Sequence, residues 1–416
     1  MPEFFNVLPP QQALAALLKV LPPPSIALEE VPAQDSLGRV TATDLVSQQD
    51  LPTFPRSTVD GYSLRAADSF GATEGLPACF SVVGEVPMGR APAIAVSLGE
   101  AAGTYTGGML ASGADAVIMV EHTQQIDADT IEVVRPVAPG ENVVQPGEDV
   151  RTGDSILPRG HLLRPQDVGG LAALGITSLP VARRPRVAVL SMGDEVVSPE
   201  NEPAVGQIRD VNSYTIASQI LRGGAEPVPL GIVPDNYEDQ LEVARRGLEN
   251  SDALVFSAGS SVSARDMTAD IINALGKPGV LVHGLSIHPG KPAIVGMVDQ
   301  KPVFGLPGNP VSAMIVFDLL VHPILYHLAG CTTLPEPART AARLDRDVAS
   351  VPGREDYLPV RLKRGDLDGS EELVAEPVFG KSNLIFTLIR ADGLVQVPLD
   401  KAGLYAGETV VVRLFQ

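Results

Sequence analysis

From residue 183 onward, short apolar runs alternate with longer segments whose apolar residues recur at helical spacing. The strand-length runs are RVAVLSM, EPVPLGIV, ALVFSAG and VFGL. The segments between them are NSYTIASQILRGG, NYEDQLEVARRGLEN, DMTADIINALG and PVSAMIVFDLLVHPIL, and Gly223 is placed to end the first of these helices. Because this alternation is typical of βαβ units, we predict a doubly wound parallel α/β sheet here.

Three further patterns flank this region. Residues 11–21 (QQALAALLKVL) have helical spacing and stop at a run of prolines. Residues 80–134 alternate apolar and polar positions with frequent Gly and Pro, as short antiparallel strands do. From about residue 340, short alternating runs indicate a compact all-β tail. The predicted fold class is therefore α/β plus β and multidomain, with a central α/β domain, a β-rich inserted domain and a C-terminal β-barrel-like domain.

Length and charge narrow the class of protein. A chain of 416 residues is too long for one ordinary core and predicts two to four domains. The formal charge of -19 argues against a nucleic-acid or membrane-surface binder, since phosphate backbones and anionic lipids attract clustered cations. Any anionic ligand must therefore be held by a local site that works against the overall field.

Cysteine usage, the first residues of the chain and the one long apolar segment favour a cytoplasmic protein. Cys79 and Cys331 stand far apart without a CxxC or Cys/His cluster, so neither a disulfide framework nor a zinc site is indicated. The first residues, MPEFFNVLPP, lack the pattern of a secretory signal. Residues 311–329 are long enough to span a membrane but contain Asp318, His322 and Pro323, so we interpret them as a buried or amphipathic helix.

Three loops that follow apolar strands are chemically unusual. They read SMGDE (residues 191–195), SAGSSVSARD (257–266) and LPGNPVS (306–312). In open α/β sheets, ligands bind outside the carboxyl ends of the strands. We therefore expect these loops to border a ligand site.

The serine-rich loop fits an anion, because small residues let backbone amides approach a phosphate at a helix N-terminus. The local alternative is a simple helix cap with Asp266 as the N-cap residue. The loop matches neither a Walker nor a dinucleotide fingerprint, which disfavours a P-loop NTPase or an NAD enzyme.

The acidic loops are less specific. Asp194 and Glu195 follow a strand end, where Mg²⁺ could join them to ligand phosphates. Asp60 and Asp235 are acids in turns, and for all of these the ordinary alternative is a solvated or capping residue.

The segment GLPGNPVSA (residues 305–313) is more restrained than a structural turn requires. Pro307 and Pro310 fix φ, the glycines admit unusual backbone angles, and Pro310 suits a first helical turn. HPGKPA (residues 288–293) is a comparable turn that adds Lys291, a cation able to reach an anion. Both turns fit the walls of a ligand site.

In this order, the motifs resemble the molybdopterin molybdenumtransferase family, called MoeA in bacteria and the E domain of gephyrin in animals. The resemblance covers nearly the whole chain. It rests on LPTFPRSTVDGYSLRA, TYTGGMLASGADAVIMVEHT, NVVQPGEDV, SMGDEVV, GQIRDVNSYTIASQI, GIVPDNYEDQL, SAGSSVSARDM, IHPGKP, GLPGNPVSA and KSNLIFTLIRADGLVQVP.

The resemblance implies four domains and a homodimer with its site between subunits. The domains would be a linker-like α+β domain (25–49 and 143–180), an inserted β-rich domain (50–142), a molybdopterin-binding α/β domain (1–24 and 181–329) and a C-terminal β domain (330–416). The implied activity is insertion of molybdate into adenylylated molybdopterin, with Mg²⁺ and release of AMP. The implied partners are a molybdopterin adenylyltransferase and molybdoenzyme apoproteins. Binding to nucleic acid or to a membrane is not expected.

The resemblance also assigns residues. The catalytic set is Asp60, Thr106, Glu195, Asp235 and Asp266, of which Glu195 and Asp266 would hold the metal. The expected cofactor-binding residues are Ser257, Gly259, Ser260, Ser261, Ser263, Lys291, Pro307, Gly308, Asn309 and Ser312.

The chain departs from the family pattern at several cations. The family usually has Arg in the segment before GED, where this chain reads VVQP with Val144, and two cations before PGKP, where it has Gly284 and His288. Arg56, Arg209 and Arg265 stand in matching motifs and could compensate for the lost charge. The departures leave two alternatives, a catalytically weak molybdopterin-binding or scaffold paralogue and a molybdopterin adenylyltransferase, although the latter would need only the central domain.

Overall fold

The computed structural model describes residues 7–24, 27–257, 262–367 and 370–415, and for residues 262–266, 366–367 and 370–371 it describes the backbone alone. The central domain is built on a six-stranded sheet. In spatial order its strands are Glu226–Val233, Arg186–Met192, Ala253–Ser257, Lys301–Leu306, Ile294–Val298 and Pro278–His283. The first four are parallel, as predicted, and their carboxyl ends lie at one edge.

Ile294–Val298 runs antiparallel to both of its neighbours, so the predicted parallel sheet contains one reversed strand at this side. Ile294–Val298 and Lys301–Leu306 are joined by only two residues, Asp299 and Gln300, whose φ angles are 46° and 73°. A two-residue turn with positive φ at both positions reverses the chain into a hairpin. The apolar runs do not reveal this, because buried strands read alike in either direction.

Helices cover both faces of the central sheet. Leu17 of the N-terminal helix packs in the same core as Ile216, Phe304 and Phe317. The segment Pro310–Leu328 is apolar and long enough to cross a membrane, but 56% of its most apolar window is buried in this core. It is a core helix, as the sequence predicted. The helices are Pro10–Val20, Asn212–Arg222, Tyr237–Glu249, Val262–Leu275, and Pro310–Val316 continuing through a π-helical turn, Phe317–Val321, into His322–Leu328.

The inserted domain contains a second six-stranded sheet. Its strand order is Ala116–Met119, Gly61–Leu64, Glu100–Thr104, Ala78–Glu85, Thr130–Val133 and Thr123–Gln125. The pairings are antiparallel, as expected, except that Ala78–Glu85 runs parallel to Glu100–Thr104. A Cβ at Gly61 would lie 1.8 Å from the Ile118 carbonyl oxygen, so only glycine fits directly after Asp60.

A smaller module lies beside the inserted domain in sequence. Leu28–Pro32 pairs with Ser178–Ala182, and Leu45–Val46 pairs with Ser155–Leu157. Leu171 of the helix Pro165–Ala173 is buried in the core of this module. Three 3-10 turns complete these N-terminal regions, namely Ala33–Asp35, Ala66–Ser69 and Val120–His122.

The C-terminal region is a closed barrel, which confirms the β-barrel-like prediction. Glu355–Leu367 pairs with both Ser370–Pro377 and Gly393–Val397, and this double pairing closes the sheet. Arg339–Leu344 and Thr409–Leu414 complete it. The remaining short elements are the strand pairs Val196–Val197 with Ile208–Arg209 and Val348–Ala349 with Gly403–Leu404, and the helix Phe386–Ile389.

One short strand joins this barrel to the central domain. Ile287–His288 pairs with the start of Glu355–Leu367, so that His288 lies opposite Asp356. The turn that contains Lys291 therefore faces the barrel.

Candidate functional site

The strands that precede the three unusual loops end side by side at the carboxyl edge of the central sheet. Ser257 ends its strand in register with Ser191 on one side and Leu306 on the other. Residues 307–310, which we call the proline loop, follow directly and lead into the helix that begins at Pro310. The predicted placement of SMGDE and LPGNPVS at this edge is confirmed, whereas residues 258–261 of the serine-rich loop lie outside the described residues.

Asn212 connects two of these loops. Its side-chain Nδ2 donates one hydrogen bond to Ser257 Oγ at 2.8 Å and another to the Gly308 carbonyl at 2.9 Å. Asn212 is the first residue of its helix and is only 7% exposed. The amide thus fixes the end of one strand against the proline loop.

One cavity, of about 510 Å³, lies on the Ser257 side of the proline loop. Its polar lining consists of carboxylate, amide and hydroxyl side chains and the guanidinium of Arg209, and we call it the acceptor cavity. Gly193, at φ 138°, lets the chain fold so that the Glu195 carboxylate returns to within 2.6 Å of where a Cβ of residue 193 would be. The polar side chains of the acceptor cavity are Ser191, Glu195, Arg209, Asp210, Asn212, Ser257, Asn309 and Asn383.

A second cavity, of about 520 Å³, lies on the other side of the proline loop and is rich in cations. We call it the basic cavity. Lys291 and Arg354 line it, and Arg354 also forms an ion pair with Asp356 at 2.8 Å. Ser382, from the C-terminal region, accepts a hydrogen bond from Asn309 Nδ2 at 2.9 Å. The residues that line it and were predicted from sequence are Lys291, Pro307, Gly308, Asn309 and Ser312.

The acids after the first two central strands lie together. The Asp235 amide donates to Asp194 Oδ1 at 3.0 Å. Burial raises the pKa of the Asp235 carboxyl, and the negative charges of Asp194 and Glu195 raise it further. A cation bound beside these carboxylates would offset their negative charge.

The negative charge of Asp194, Glu195 and Asp235 suits a metal cation, although the described side chains do not form a complete set of metal ligands. Within the part of the chain that the structure describes, no group of three His, Cys, Asp or Glu side chains is arranged to hold a metal ion. Burial first, and then the negative charges of Asp194 and Glu195, raise the pKa of Asp235, so negative charge is gathered beside Glu195. The other predicted ligand, Asp266, has no described side chain.

The remaining predicted catalytic pair lies in the inserted domain. Asp60 Oδ1 accepts hydrogen bonds from the Thr106 amide at 2.8 Å and from its hydroxyl at 2.9 Å. These bonds, the amide first, lower the pKa of Asp60. Arg56 lies opposite Val144 in register, so a cation stands beside the position where the family's arginine is missing. Neither Asp60 nor Thr106 lines the acceptor or the basic cavity.

Part of the predicted site falls outside the described residues, namely Gly259, Ser260 and Ser261. The side chains of Ser263, Arg265 and Asp266 are likewise not described. The backbone still corrects one alternative. Because the helix Val262–Leu275 already contains Asp266 in its interior, Asp266 is not its N-cap residue.

Sequence reasoning missed several side chains that the cavities bring in. Asn212 and Asp210 come from the RDVNS turn, and Arg354, Ser382 and Asn383 come from the C-terminal region. The sequence feature that could have indicated Arg354 is the presence of a cation in the turn PGRED. Its proximity to Lys291 depends on pairing between strands that are distant in sequence.

Comparisons with known families agree with this architecture. Residues 188–327, which contain the three unusual loops, match the probable molybdopterin binding domain. The class is thus a multidomain protein built around a molybdopterin-binding domain. Residues 8–175 match the MoeA N-terminal region (domain I and II), and residues 341–415 match the MoeA C-terminal region (domain IV). The chain therefore belongs to the MoeA family.

Individual relatives match over most of their length. A molybdopterin molybdenumtransferase of Nostoc sp. is 32% identical over 90% of this chain and 86% of its own. Molybdopterin molybdenumtransferase 2 of Mycobacterium tuberculosis is 32% identical over 92% of this chain and 94% of its own. The crystal structure of the molybdopterin biosynthesis MoeA protein from Pyrococcus horikoshii OT3 is 32% identical, covers 99% of this chain and 100% of its own, and has a TM-score of 0.84.

Proposed function

We propose that this chain is a transferase of molybdenum cofactor biosynthesis that inserts molybdate into adenylylated molybdopterin and releases AMP. The substrate carries a donor-rich pterin ring at one end and phosphates at the other, and molybdate is a dianion. Molybdate oxygen would be exchanged for the dithiolene sulfurs and leave with the thiol protons as water, and water would cleave the phosphoanhydride bond to release AMP.

The observation that carries this proposal is the pair of cavities on either side of the proline loop. The acceptor cavity is lined by the Asp210 carboxylate and the Asn212 amide and suits hydrogen-bond donors. The basic cavity is lined by His288, Lys291 and Arg354 and suits anions. One cavity suits hydrogen-bond donors and the adjoining cavity suits anions. This pair matches a ligand with a donor-rich ring at one end and phosphates at the other.

We further propose that Mg²⁺ is the metal, with Glu195 and Asp266 as its ligands. Bound Mg²⁺ would neutralise charge on the phosphates and on the transferred oxygens. The grouping of Asp194, Glu195 and Asp235 supports this, because the negative charges of Asp194 and Glu195 add to burial in raising the pKa of Asp235. In the same scheme the proline loop orients the ligand, and Asp60 with Thr106 acts on it from a second direction.

The separation of Asp60 from both cavities supports a homodimer whose site combines two copies. In this arrangement the inserted domain of one copy supplies Asp60, Thr106 and Arg56 to the cavities of the other. A cytoplasmic location and encounters with a molybdopterin adenylyltransferase and molybdoenzyme apoproteins belong to the same proposal.

The test is release of AMP by the purified chain. Adenylylated molybdopterin is supplied with Mg²⁺, and AMP is measured with and without molybdate. We expect release that depends on molybdate. No release under these conditions would contradict the transferase and favour the scaffold alternative. Net adenylylation of molybdopterin by ATP would instead identify an adenylyltransferase.

A further inference from the structure

Two polar atoms buried at the wall of the acceptor cavity have no partner. Ser191 is 2% exposed and Asn212 is 7% exposed, and both line this cavity. Among the residues that the structure describes, neither Ser191 Oγ nor Asn212 Oδ1 has a hydrogen-bond partner. A buried polar atom without a partner costs stability, so such atoms in a cavity wall point to a ligand that completes them.

The orientation of the Asn212 amide is fixed by its neighbours. The Gly308 carbonyl can only accept a hydrogen bond, so the atom 2.9 Å from it must be the donor Nδ2. Both hydrogens of this nitrogen are used, one on Gly308 and one on Ser257 Oγ. The remaining atom, Oδ1, is therefore an acceptor that only an incoming donor can satisfy.

Ser191 belongs to the same polar wall. It lies in register with Ser257 on the neighbouring parallel strand. Residues in register point to the same face of a sheet, so the Ser191 side chain lies on the face where Ser257 meets Asn212. The unpaired hydroxyl and the unpaired amide oxygen thus border one recess.

The polar groups of this recess favour a ligand that presents hydrogen-bond donors to them. The Asp210 carboxylate and the Asn212 oxygen accept hydrogen bonds, and Arg209, which lines the same cavity, is held by an ion pair with Glu202 at 3.1 Å. The pterin ring has an edge on which an exocyclic amino group and a ring N–H stand side by side as donors. We propose that Asn212 and Ser191 bind this amino-bearing edge, with Asn212 Oδ1 accepting from the amino group.

This inference rests on the proposed function, because it takes the pterin of molybdopterin as the ligand. It adds the residues that recognise the ring and a reason for selectivity. A site built to accept from an amino group rejects an analogue that carries an oxygen there, since two acceptors would then face each other.

The experiment uses two stable fluorescent probes, 6-hydroxymethylpterin and 6-hydroxymethyllumazine, in which an oxo group replaces the amino group. Binding of each is measured by fluorescence titration to the full chain. We expect the unmodified chain to prefer the pterin. Asn212→Ala and Ser191→Ala should each weaken pterin binding about three- to tenfold, the effect of one neutral hydrogen bond, and Asn212→Ala should abolish the preference.

Ser251→Ala is the matched control. Ser251 Oγ is also a buried hydroxyl without a partner among the described residues, but it lies before the strand Ala253–Ser257, at the opposite edge of the sheet. This variant should keep both affinity and preference. Loss of the hydrogen bonds from Asn212 to Ser257 and Gly308 could distort the cavity, but such a distortion would weaken binding of both probes alike. The ratio of the two affinities therefore separates recognition of the amino group from a structural effect.

The outcomes are distinct. An unchanged pterin preference in Asn212→Ala and Ser191→Ala overturns the role of these residues and leaves the proposed function intact. If the unmodified chain binds neither probe, or binds both equally, the pterin is not read in the acceptor cavity, and this inference fails. Release of AMP measured in parallel then decides whether the proposed function fails with it.

Discussion

Asp60 accepts two hydrogen bonds from Thr106, one from the backbone amide at 2.8 Å and one from the hydroxyl at 2.9 Å. The chain contains a second pair of the same form, because Asp50 accepts from the Thr152 amide at 2.8 Å and from its hydroxyl at 2.9 Å. The pKa is lowered in both aspartates by these bonds, the amide first. Only Asp60 belongs to the proposed site, so the second pair is a structural control.

Asp60→Asn should therefore reduce molybdate-dependent release of AMP by about 10²-fold or more, the usual contribution of a group that acts on protons or charge in the transition state. Asp50→Asn breaks the same local pattern and should leave activity within about twofold. Both variants should lose similar amounts of thermal stability, measured by calorimetry. Equal loss of activity in the two variants would mean that Asp60 is merely structural.

Mixing two inactive variants tests the shared site. If the inserted domain of one copy completes the cavities of the other, a mixed dimer of Asp60→Asn and Glu195→Gln has one intact site. After random exchange of subunits, activity should return to about a quarter of that of the unmodified chain. Mixtures that stay inactive, although sedimentation shows mixed dimers, would place both residues in the same copy.

Asp235 gives a pH-dependent prediction. Since its pKa is raised, the folded chain binds this proton more tightly than the unfolded chain. The free energy of unfolding should then fall as pH rises from the ordinary aspartate pKa through the raised value. Asp235→Asn should remove this penalty and raise the Tm at neutral pH by about one to two degrees, a small effect because solvent screens an exposed carboxyl.

The same variant should gain less near pH 4, because more of the native carboxyl is protonated there than at pH 7. Scanning calorimetry at about pH 4 and pH 7 measures the difference. A gain that is independent of pH would show that the repulsion from Asp194 and Glu195 does not contribute.

Mg²⁺ should raise the Tm of the unmodified chain, because a cation that binds only the folded state stabilises it. Glu195→Gln should lose most of this rise. Glu200→Gln removes an equal charge a few residues further along and should keep it. Equal responses of the two variants to Mg²⁺ would exclude Glu195 as a ligand of the metal.

Lys291 should bind an oxyanion in the basic cavity. A charge-assisted hydrogen bond contributes about 1.5–3 kcal/mol, so Lys291→Ala should weaken molybdate binding about 10- to 100-fold in calorimetric titration. Arg354→Gln should act in the same direction. Lys277→Ala, which removes a cation just before the strand Pro278–His283, should change affinity by less than about twofold. Molybdate affinity equal in all three variants would argue against the basic cavity as the anion site.

The sequence predicted the scaffold well, because helices and strands bury apolar residues at different periods. The helix ending at Gly223, the core helix from Pro310 and the C-terminal barrel were all evident from spacing. Motif order also identified the family. The direction of the strand Ile294–Val298 was not evident, because buried strands are apolar in parallel and antiparallel sheets alike.

What only the tertiary structure decided is which side chains meet. Asn212 contacts Ser257, 45 residues away, and Gly308, 96 residues away. Arg354 reaches the basic cavity through the pairing of Ile287–His288 with a barrel strand. Such contacts depend on how strands order within sheets and how domains pack, which a local pattern of polar and apolar residues does not encode. The sequence by itself therefore determined the elements and the loops of the site, and tertiary packing decided their division into an acceptor cavity and a basic cavity.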